Sequence, residues 1–321
     1  MKRRCVVIGC GWAGQYHART VSESAVAELV ALVEPSPIRA KAVGAEHGVP
    51  VYADLESVLA GERFDTAIVA TLPTLHYEQV RRLLESGKDI LCEKPLCRSS
   101  EEIRELKVLA EARGLRLGVV FNQRYGHAVQ KAKELLKQDA TPRHLITASM
   151  YQDFPKSPGG HIGELFLLTD SCCHLLDLMT YLAGPAMAGL AIGSKNELGV
   201  YTDVTASLRF MDGGVGSLTH SAYGGSLETQ HPFQRIDIHT EQARYCVESC
   251  VGKLTVYPHG SQMRETYIPP VFEPHDYGVT MTRACRMFLN ALHDGSPLPA
   301  SAEDAYRNMV MIETLCDSMI R

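Results

Sequence analysis

The hexapeptide from Gly9 to Gly14 constrains the fold of this chain more than any other feature. Its glycines have the spacing G-x-G-x-x-G, follow the apolar run Cys5–Ile8 and precede a helical pattern. A turn of this kind binds the pyrophosphate of a dinucleotide in a doubly wound parallel sheet, because the N–H groups at the helix N-terminus are free to bind an anion. Glu34 lies 20 residues beyond Gly14, at the end of the next predicted strand. The hexapeptide and this acidic residue together predict a nicotinamide dinucleotide site.

Each position of the fingerprint has a physical role. Gly9 permits the tight turn, Gly11 lets the backbone approach the phosphates, and Gly14 allows the helix to pack closely on the strand. The Glu34 carboxylate can accept hydrogen bonds from the adenine ribose and would repel a 2′-phosphate, which favours NAD. Arg39 follows closely in the sequence and could pair with a 2′-phosphate, so NADP stays possible.

Strands and helices alternate over the first 120 or so residues, and this alternation predicts a parallel sheet covered by helices on both faces. Beyond that point the pattern changes to consecutive strands with few helices between them, which indicates a mainly antiparallel sheet. The predicted strands of the first part are Cys5–Ile8, Ala27–Val33, Thr66–Ala70, Asp89–Cys92 and Arg116–Val120. Those of the second part are residues 200–210, 214–222, 232–240, 243–250 and 253–257.

We therefore predict an α/β protein of two domains. Residues 1–122 form a Rossmann domain with a doubly wound parallel sheet. Residues 123–321 form an α/β domain with a mainly antiparallel open sheet that carries substrate-binding residues. The open sheet leaves a broad face that needs cover, and an exposed apolar sheet surface usually marks an interface. This predicts a homodimer or a homotetramer.

Composition excludes several classes of function. The formal charge is −5 and the pI is about 6.2, so no global basic field attracts nucleic acid or an anionic membrane. No apolar run reaches the length of a membrane span, and the N-terminal apolar run stops at Gly9, too early for a signal peptide. These patterns predict a cytoplasmic protein. The ten cysteines show no C-x-x-C pair and no zinc spacing, which predicts buried free thiols and no metal site.

Two further patterns carry chemistry. The triplet Glu93-Lys94-Pro95 follows a predicted parallel strand, at the sheet edge where ligands of α/β proteins bind. Asp170, His174 and Asp177 have the spacing i, i+4, i+7, which places them on one face of an otherwise apolar helix. The alternative interpretations are a surface lysine at a strand end, an N-capping Asp170 and a hydrogen-bonded core histidine.

Taken together, the motifs resemble the glucose–fructose oxidoreductase/inositol dehydrogenase/MocA-like family, and the resemblance covers essentially the whole chain. It implies catalytic roles for Lys94, Asp170 and His174. The sequence departs from the family at two places. Cys172 stands where glycine is common. The family often has a run of three glycines a few residues before this helix, whereas here Gly159-Gly160 precede Asp170 by ten residues. The elements that carry the resemblance are Gly9–Gly14, Glu34, Ala70–His76, Glu93-Lys94-Pro95, Asn122-Gln123-Arg124 and Asp170-x-x-x-His174-x-x-Asp177.

The resemblance implies reversible hydride transfer between nicotinamide and a carbinol carbon of a sugar, an amino-sugar or a cyclitol. Two alternatives remain at this point: a redox-cycling glycosidase of the same fold, and a non-catalytic NAD-sensing regulator. The predicted cofactor-binding residues are Gly9, Gly11, Trp12, Ala13, Gly14, Glu34, Arg39, Ala70, Thr71, His76, Glu93, Lys94 and Asn122. The candidate substrate contacts are Arg124, Tyr125, Tyr151, Asp153, His161 and Asp177.

Overall fold

The computed structural model describes residues 2–153, 164–223, 233–269 and 277–319. In this part the chain divides into two compact units. The first contains the chain up to Phe121 together with Met281–Tyr306, and the second contains Asn122–Thr280 together with the chain from Arg307 onwards. The predicted domains, 1–122 and 123–321, are continuous in sequence, whereas these units are not, because Met281–Tyr306 belongs to the first.

The first unit is built on a six-stranded sheet, counted within the described residues, with the strand order β3-β2-β1-β4-β5-β6. All of its strand pairs are parallel, as the alternation of strands and helices predicts. The order reverses between β1 and β4, and ligands of such sheets bind in the crevice at that switch point. Its elements are β1 (Arg3–Ile8), α1 (Trp12–Ser22), β2 (Ala27–Val33), α2 (Pro37–His47), β3 (Val51–Tyr52), α3 (Leu55–Gly61), β4 (Thr66–Val69), α4 (Pro73–Glu85), β5 (Asp89–Glu93), α5 (Ser100–Ala112) and β6 (Leu117–Val120).

Local sequence explains several of these boundaries. The Ser99 side chain caps α5 by accepting a hydrogen bond from the Glu102 N–H, and the Glu102 carboxylate accepts one from the Arg98 N–H. The Ser36 side chain caps α2 in the same way, and Gly48 ends that helix in a left-handed conformation. These caps fix the lengths of the helices that connect the parallel strands.

The C-terminal part of the first unit closes it beside β6. The Val119 N–H donates to the Ala300 carbonyl at 3.2 Å, and Gly118 forms a β-bridge with Ser301. Arg3, at the start of β1, donates to the Leu292 carbonyl. A segment from the far end of the sequence therefore completes the N-terminal sheet.

The second unit contains an eight-stranded sheet among the described residues, in the order β14-β13-β12-β11-β7-β10-β9-β8. Its pairs are antiparallel except for β7 with β10, so the predicted combination of a Rossmann sheet and a mainly antiparallel sheet is confirmed. Helices α8 and α9 each pass from one unit into the other. The remaining elements are a 3₁₀ turn (Asn122–Tyr125), α6 (His127–Asp139), β7 (Leu145–Tyr151), a π-helical segment (Leu167–Cys172), α7 (Cys173–Ala183), β8 (Ala186–Lys195), β9 (Tyr201–Phe210), β10 (Val215–Ser221), β11 (Phe233–His239), β12 (Ala243–Glu248), β13 (Lys253–Pro258), β14 (Glu265–Tyr267), α8 (Gly278–Asp294) and α9 (Ala302–Ser318).

All ten cysteines fall within the described residues as free thiols, and nine of them are buried. Burial raises the pKa of Cys250 to about 12, and burial beside Glu34 raises the pKa of Cys10 to about 12 as well. These thiols therefore stay protonated at neutral pH. No helix of the described segments combines the length and the apolar character needed to cross a membrane.

One face of the second sheet is left open along β8 and β9. On β8, Leu190 and Ile192 are 58% and 57% exposed, and they lie opposite the exposed Ser207 and Thr205 of β9. Alternate side chains of β9 are buried on the other side of the sheet. An exposed apolar edge strand can pair non-specifically with other chains, and an exposed apolar patch usually marks an interface. The exposed side chains of β8 therefore favour an interface here.

We expect the purified protein to form a dimer or a tetramer through this open face. The double variant L190K/I192K should dissociate it, because it places two charges on the interface. Val108→Lys, at a similarly exposed position on α5 of the first unit, is the matched control and should leave the mass unchanged. Light scattering at micromolar concentration measures both. A wild-type mass equal to one chain would contradict the expectation.

Candidate functional site

The glycine turn joins β1 to α1 at the carboxyl edge of the first sheet. Gly9 has φ +88°, and a Cβ atom there would lie 2.6 Å from the Ala70 carbonyl oxygen. A Cβ at Gly14 would overlap the Gly9 carbonyl oxygen, so neither position admits a side chain. The positive φ at Gly9 and the close approach of backbone at Gly14 therefore require glycine at both ends of the hexapeptide.

The start of α1 fits an anionic group. Its N-cap residue, Gly11, has no side chain to cap the helix, and the first turn carries no acidic residue. A Cβ built at Gly11 meets nothing within 4 Å, so the space beside this backbone is open. The backbone N–H groups of a helix N-terminus and open space beside them are what a pyrophosphate needs. Trp12, which is 54% exposed, and Ala13 form the first turn beside this space.

Glu34 follows β2 and ties the glycine turn to that strand. Its carboxylate accepts hydrogen bonds from the Cys10 N–H at 3.2 Å and from the Ser36 N–H at 2.9 Å. Arg39 donates to both carboxylate oxygens at 3.2 Å. Burial raises the pKa of Glu34, but these hydrogen bonds and the Arg39 charge outweigh it and hold the pKa below its usual value. The carboxylate is therefore ionised at neutral pH, and Arg39 lies directly beside it.

Lys94 lies in the turn after β5, and both of its neighbours in the chain are held by buried histidines. His17 of α1 places Nε2 2.7 Å from the Glu93 carboxylate. His76 of α4 places Nδ1 2.8 Å from the Pro95 carbonyl and Nε2 3.2 Å from the Thr71 carbonyl. Lys94 itself is half-buried. Direct contact of Glu93 and His76 with a cofactor stays a prediction; in the structure their side chains face these partners.

The first unit thus gathers twelve predicted cofactor residues at one edge of its sheet. They follow the carboxyl ends of β1, β2, β4 and β5, on either side of the switch point. Sequence reasoning missed His17, although an imidazole three residues after Gly14, on the buried face of a predicted helix, was an available signal. Asn122, the remaining predicted cofactor residue, belongs to the second unit.

The segment with Asp170 and His174 is not a single α-helix. Leu167–Cys172 forms a π-helical turn, and α7 begins only at Cys173. The prediction of a regular α-helix from Asp170 is therefore wrong in its first turn. The backbone there forms a π-helical turn, whose i→i+5 hydrogen bonds enclose one residue more than those of an α-helix. Asp170 is half-buried in the π-helical turn, while His174 and Asp177 are buried in α7. Turns of this type are frequent at functional sites.

A buried histidine of the sheet holds this π-helical turn. The Ser171 hydroxyl lies 2.6 Å from Nε2 of His220 on β10. Burial lowers the pKa of His220 to about 4, in spite of the nearby Asp203 charge, so its imidazole is neutral at neutral pH. Ser171 is adjacent to Asp170 in the chain, and this contact therefore anchors the candidate catalytic residue to the sheet. Neither Ser171 nor His220 was identified from the sequence.

Asp177 forms a buried ion pair with Arg124. Arg124 donates from Nε and Nη2 to the two carboxylate oxygens at 2.8 Å and 2.6 Å, and both side chains are at most 5% exposed. The Tyr181 ring lies under the guanidinium, with 4.9 Å from Cζ to the ring centroid. The sequence predicts both charged residues as substrate contacts. The structure pairs them with each other, and a direct substrate contact stays a prediction.

The other predicted residues of the second unit are spread over several elements. The Asn122 amide donates to the Thr280 hydroxyl at 2.7 Å and accepts from the Tyr277 hydroxyl at 3.4 Å. Tyr125 is buried, Tyr151 ends β7 and is half-buried, and Asp153 is exposed. His161 lies outside the described residues. Within the described ranges, no group of three or more His, Cys, Asp or Glu side chains is arranged to hold a metal ion.

Two family models match the chain. The GFO/IDH/MocA model, described as an oxidoreductase family with an NAD-binding Rossmann fold, matches residues 3–121. The companion model for the C-terminal alpha/beta domain of the same oxidoreductase family matches residues 156–320.

Individual relatives share about a quarter of their residues with this chain. D-apiose dehydrogenase of Paraburkholderia graminis is 24% identical over 96% of this chain and 85% of its own length. Inositol 2-dehydrogenase of Rhizobium meliloti is 27% identical over 78% of this chain and 76% of its own. Among solved structures, levoglucosan dehydrogenase in complex with NADH and levoglucosan is 22% identical, with a TM-score of 0.87 over 99% of this chain and 97% of that one. This last likeness supports the fold alone.

Proposed function

Because this chain belongs to the GFO/IDH/MocA family of oxidoreductases with an NAD-binding Rossmann fold, we propose that it oxidises a secondary alcohol of a sugar, an amino-sugar or a cyclitol. The observation that carries the proposal is the edge of the first sheet. There the glycine turn after β1 and the Lys94 turn after β5 flank the strand β4 at the switch point. The related dehydrogenases described above are named for D-apiose and for inositol, which supports a polyhydroxylated substrate.

The residues present fit a bound dinucleotide, since the backbone at Gly11 borders open space and the first turn of α1 presents the backbone N–H groups of a helix N-terminus without an acidic side chain. When bound, NAD supplies the hydride acceptor, while the protein supplies position and electrostatics. The glycine turn binds the pyrophosphate and Glu34 binds the adenine ribose. In this proposal Ala70, Thr71 and Lys94 line the route towards the nicotinamide.

Three side chains act on the substrate hydroxyl in this proposal. His174 removes the hydroxyl proton, because a neutral imidazole has a ring nitrogen that can accept it. Lys94 donates a hydrogen bond to the same oxygen and stabilises the negative charge that develops as the proton leaves. Asp170 orients the hydroxyl or the His174 ring.

A substrate panel tests the proposed function. The enzyme is incubated with NAD⁺ and, in turn, with aldoses, inositols and amino-sugars, and NADH formation is followed by absorbance. We expect NADH to form with members of one of these classes and not without substrate. Release of an aglycone from a glycoside without net NADH would replace the proposal by redox-cycling glycoside cleavage. No turnover with any class, in a preparation that binds NAD, would contradict it.

Cofactor preference gives a second test. We expect NAD(H) to bind at least about tenfold more tightly than NADP(H), a difference of about 1.4 kcal/mol, because the ionised Glu34 repels a 2′-phosphate. Glu34→Gln keeps an acceptor for the Cys10 N–H but removes the charge. It should therefore improve NADP binding and bring the affinities for NAD(H) and NADP(H) closer together. The single tryptophan, Trp12, lies within the glycine turn, so quenching of its fluorescence reports binding.

Glu28→Gln, at an exposed position of β2, is the matched control and should leave the ratio of NAD(H) to NADP(H) affinity unchanged. Tighter binding of NADP by the wild-type protein would overturn the role given to Glu34 and make Arg39 the partner of a 2′-phosphate.

A further inference from the structure

Two buried histidines of the first unit have no part in the proposed chemistry. His17 lies in the second turn of α1, and His76 lies in the first turns of α4. Both side chains are inaccessible to solvent. Burying a polar ring is unfavourable unless its nitrogens form hydrogen bonds, so their partners indicate what the rings do.

His17 holds the residue before Lys94. Its Nε2 lies 2.7 Å from Oε1 of Glu93, a carboxylate that can only accept when ionised, so Nε2 carries the hydrogen and donates it. Its other nitrogen, Nδ1, is buried with no hydrogen-bond partner among the described residues. The hydrogen bond to Glu93 is therefore the polar contact that offsets the cost of burying this ring.

His76 holds the residue after Lys94. Burial lowers the pKa of His76, although the Pro95 and Thr71 carbonyls act in the opposite direction, so the ring is neutral and carries one hydrogen. We assign that hydrogen to Nδ1, because its 2.8 Å distance to the Pro95 carbonyl is shorter than the 3.2 Å from Nε2 to Thr71. His76 thus donates to the main chain of the Lys94 turn.

We propose that His17 and His76 are positioning residues that fix the main chain on both sides of Lys94 and thereby the direction of its amine. The two rings come from the helices that follow the glycine turn and the Ala70–Thr71 turn. The pair, termed here the histidine brace, therefore links both predicted cofactor turns to the lysine. This inference rests on the proposed function, because it assumes that Lys94 acts on the substrate.

A fixed main chain matters at Lys94 because the lysine side chain is long. Lysine has four rotatable bonds and loses considerable rotamer entropy when it is ordered, so a fixed main chain removes one source of misplacement. A misplacement of about 1 Å at a reacting group can lower a rate by about 10²-fold. Loss of either histidine donor should therefore lower kcat.

The test compares a variant that removes each donor with one that keeps it. We expect His17→Leu and His76→Leu to lower kcat by up to about 100-fold. His17→Gln places an N–H near the former Nε2 and His76→Asn places one near the former Nδ1, so both should recover most of that loss. Thr20→Val is the matched control: it changes a buried α1 side chain whose hydroxyl bonds only within the helix, and kcat should stay at the wild-type value.

A second readout does not depend on turnover. Each variant is treated, without cofactor, with a limiting amount of an amine-acetylating reagent, and the modification of Lys94 is measured by peptide mass spectrometry against the exposed Lys41. We expect Lys94 to be modified several-fold faster in the two leucine variants, because the half-buried side chain is released. The glutamine and asparagine variants should resemble the wild type.

The outcomes separate this proposal from the proposed function. If Lys94→Ala keeps normal turnover, the role of Lys94 is wrong. If Lys94→Ala is inactive but folded leucine variants keep normal kcat and normal Lys94 labelling, the histidine brace is wrong. An equal loss of kcat in His17→Gln and His17→Leu would also overturn it. Should His17→Leu fail to fold, His17→Asn, whose amide is too short to reach Glu93, replaces it with the same expected loss.

Discussion

Replacement of Lys94 or His174 by alanine is expected to lower kcat by roughly 10²- to 10⁴-fold. Lys94 stabilises charge that develops only in the transition state, and His174 takes the proton, so each loss should fall on the chemical step. Neither residue belongs to the glycine turn that binds the pyrophosphate, so the affinity for NAD should change little. Steady-state kinetics and NAD titration on the same preparations measure the two effects.

Exposed residues of the same types are the matched controls. Lys41→Ala on α2 and His293→Ala near the end of α8 remove a cation and an imidazole from the surface and should leave kcat unchanged. The melting temperature separates an effect on chemistry from an effect on folding, because the loss of a His174 that only supports the fold would lower it. A well-folded His174→Ala enzyme with near-normal turnover would remove His174 from the mechanism and leave Lys94 as the remaining acid–base candidate.

Asp177→Asn is expected to lower the free energy of unfolding by about 3–5 kcal/mol, because it leaves the buried Arg124 guanidinium without its counter-charge. The surroundings enlarge the effect. The nearby Lys133 is half-buried, and its pKa is lowered first by burial and then by the Arg143 and Arg124 charges. Loss of the carboxylate would leave these cations facing one another. Thermal and urea denaturation measure the change, and the melting temperature should fall by roughly 10 °C.

The double variant R124M/D177L should recover much of that loss, because replacing a buried ion pair by apolar side chains is often close to neutral. Asp317→Asn, at an exposed position of α9, is the control and should leave stability unchanged. If Asp177→Asn is as stable as the wild type and instead raises KM for the substrate, the ion pair is not structural. The earlier expectation that Asp177 contacts substrate would then be favoured.

The elements around the glycine turn could be predicted because their signals are local. The apolar run before Gly9, the glycine spacing and Glu34 all lie within one strand–helix–strand unit. The sequence also carries local signals for α2, namely Ser36-Pro37 at its start and Gly48 at its end. Ser99 and Glu102 are local signals of the same kind for the start of α5.

Other features could not be predicted because they depend on partners far away in the sequence. Strand β7 pairs in parallel with β10, which lies beyond α7, β8 and β9, and no local pattern specifies that partner. The π-helical turn at Asp170 depends on the contact between Ser171 and His220 of the sheet. The placement of His17 against Glu93 likewise joins residues on two elements that only the folded sheet brings together.

The return of Met281–Tyr306 to the first unit has a consequence for biosynthesis. The β6 edge of the N-terminal sheet takes its last partners from Ala300 and Ser301, so it stays incomplete while the ribosome is still making the second unit. An unpaired strand edge on a nascent chain is a site of aggregation, and domains otherwise tend to fold in order of synthesis. The first unit finishes folding only after the strands of the second unit have been made, so a fragment that stops at Phe121 should depend on chaperones for solubility far more than residues 1–321 do.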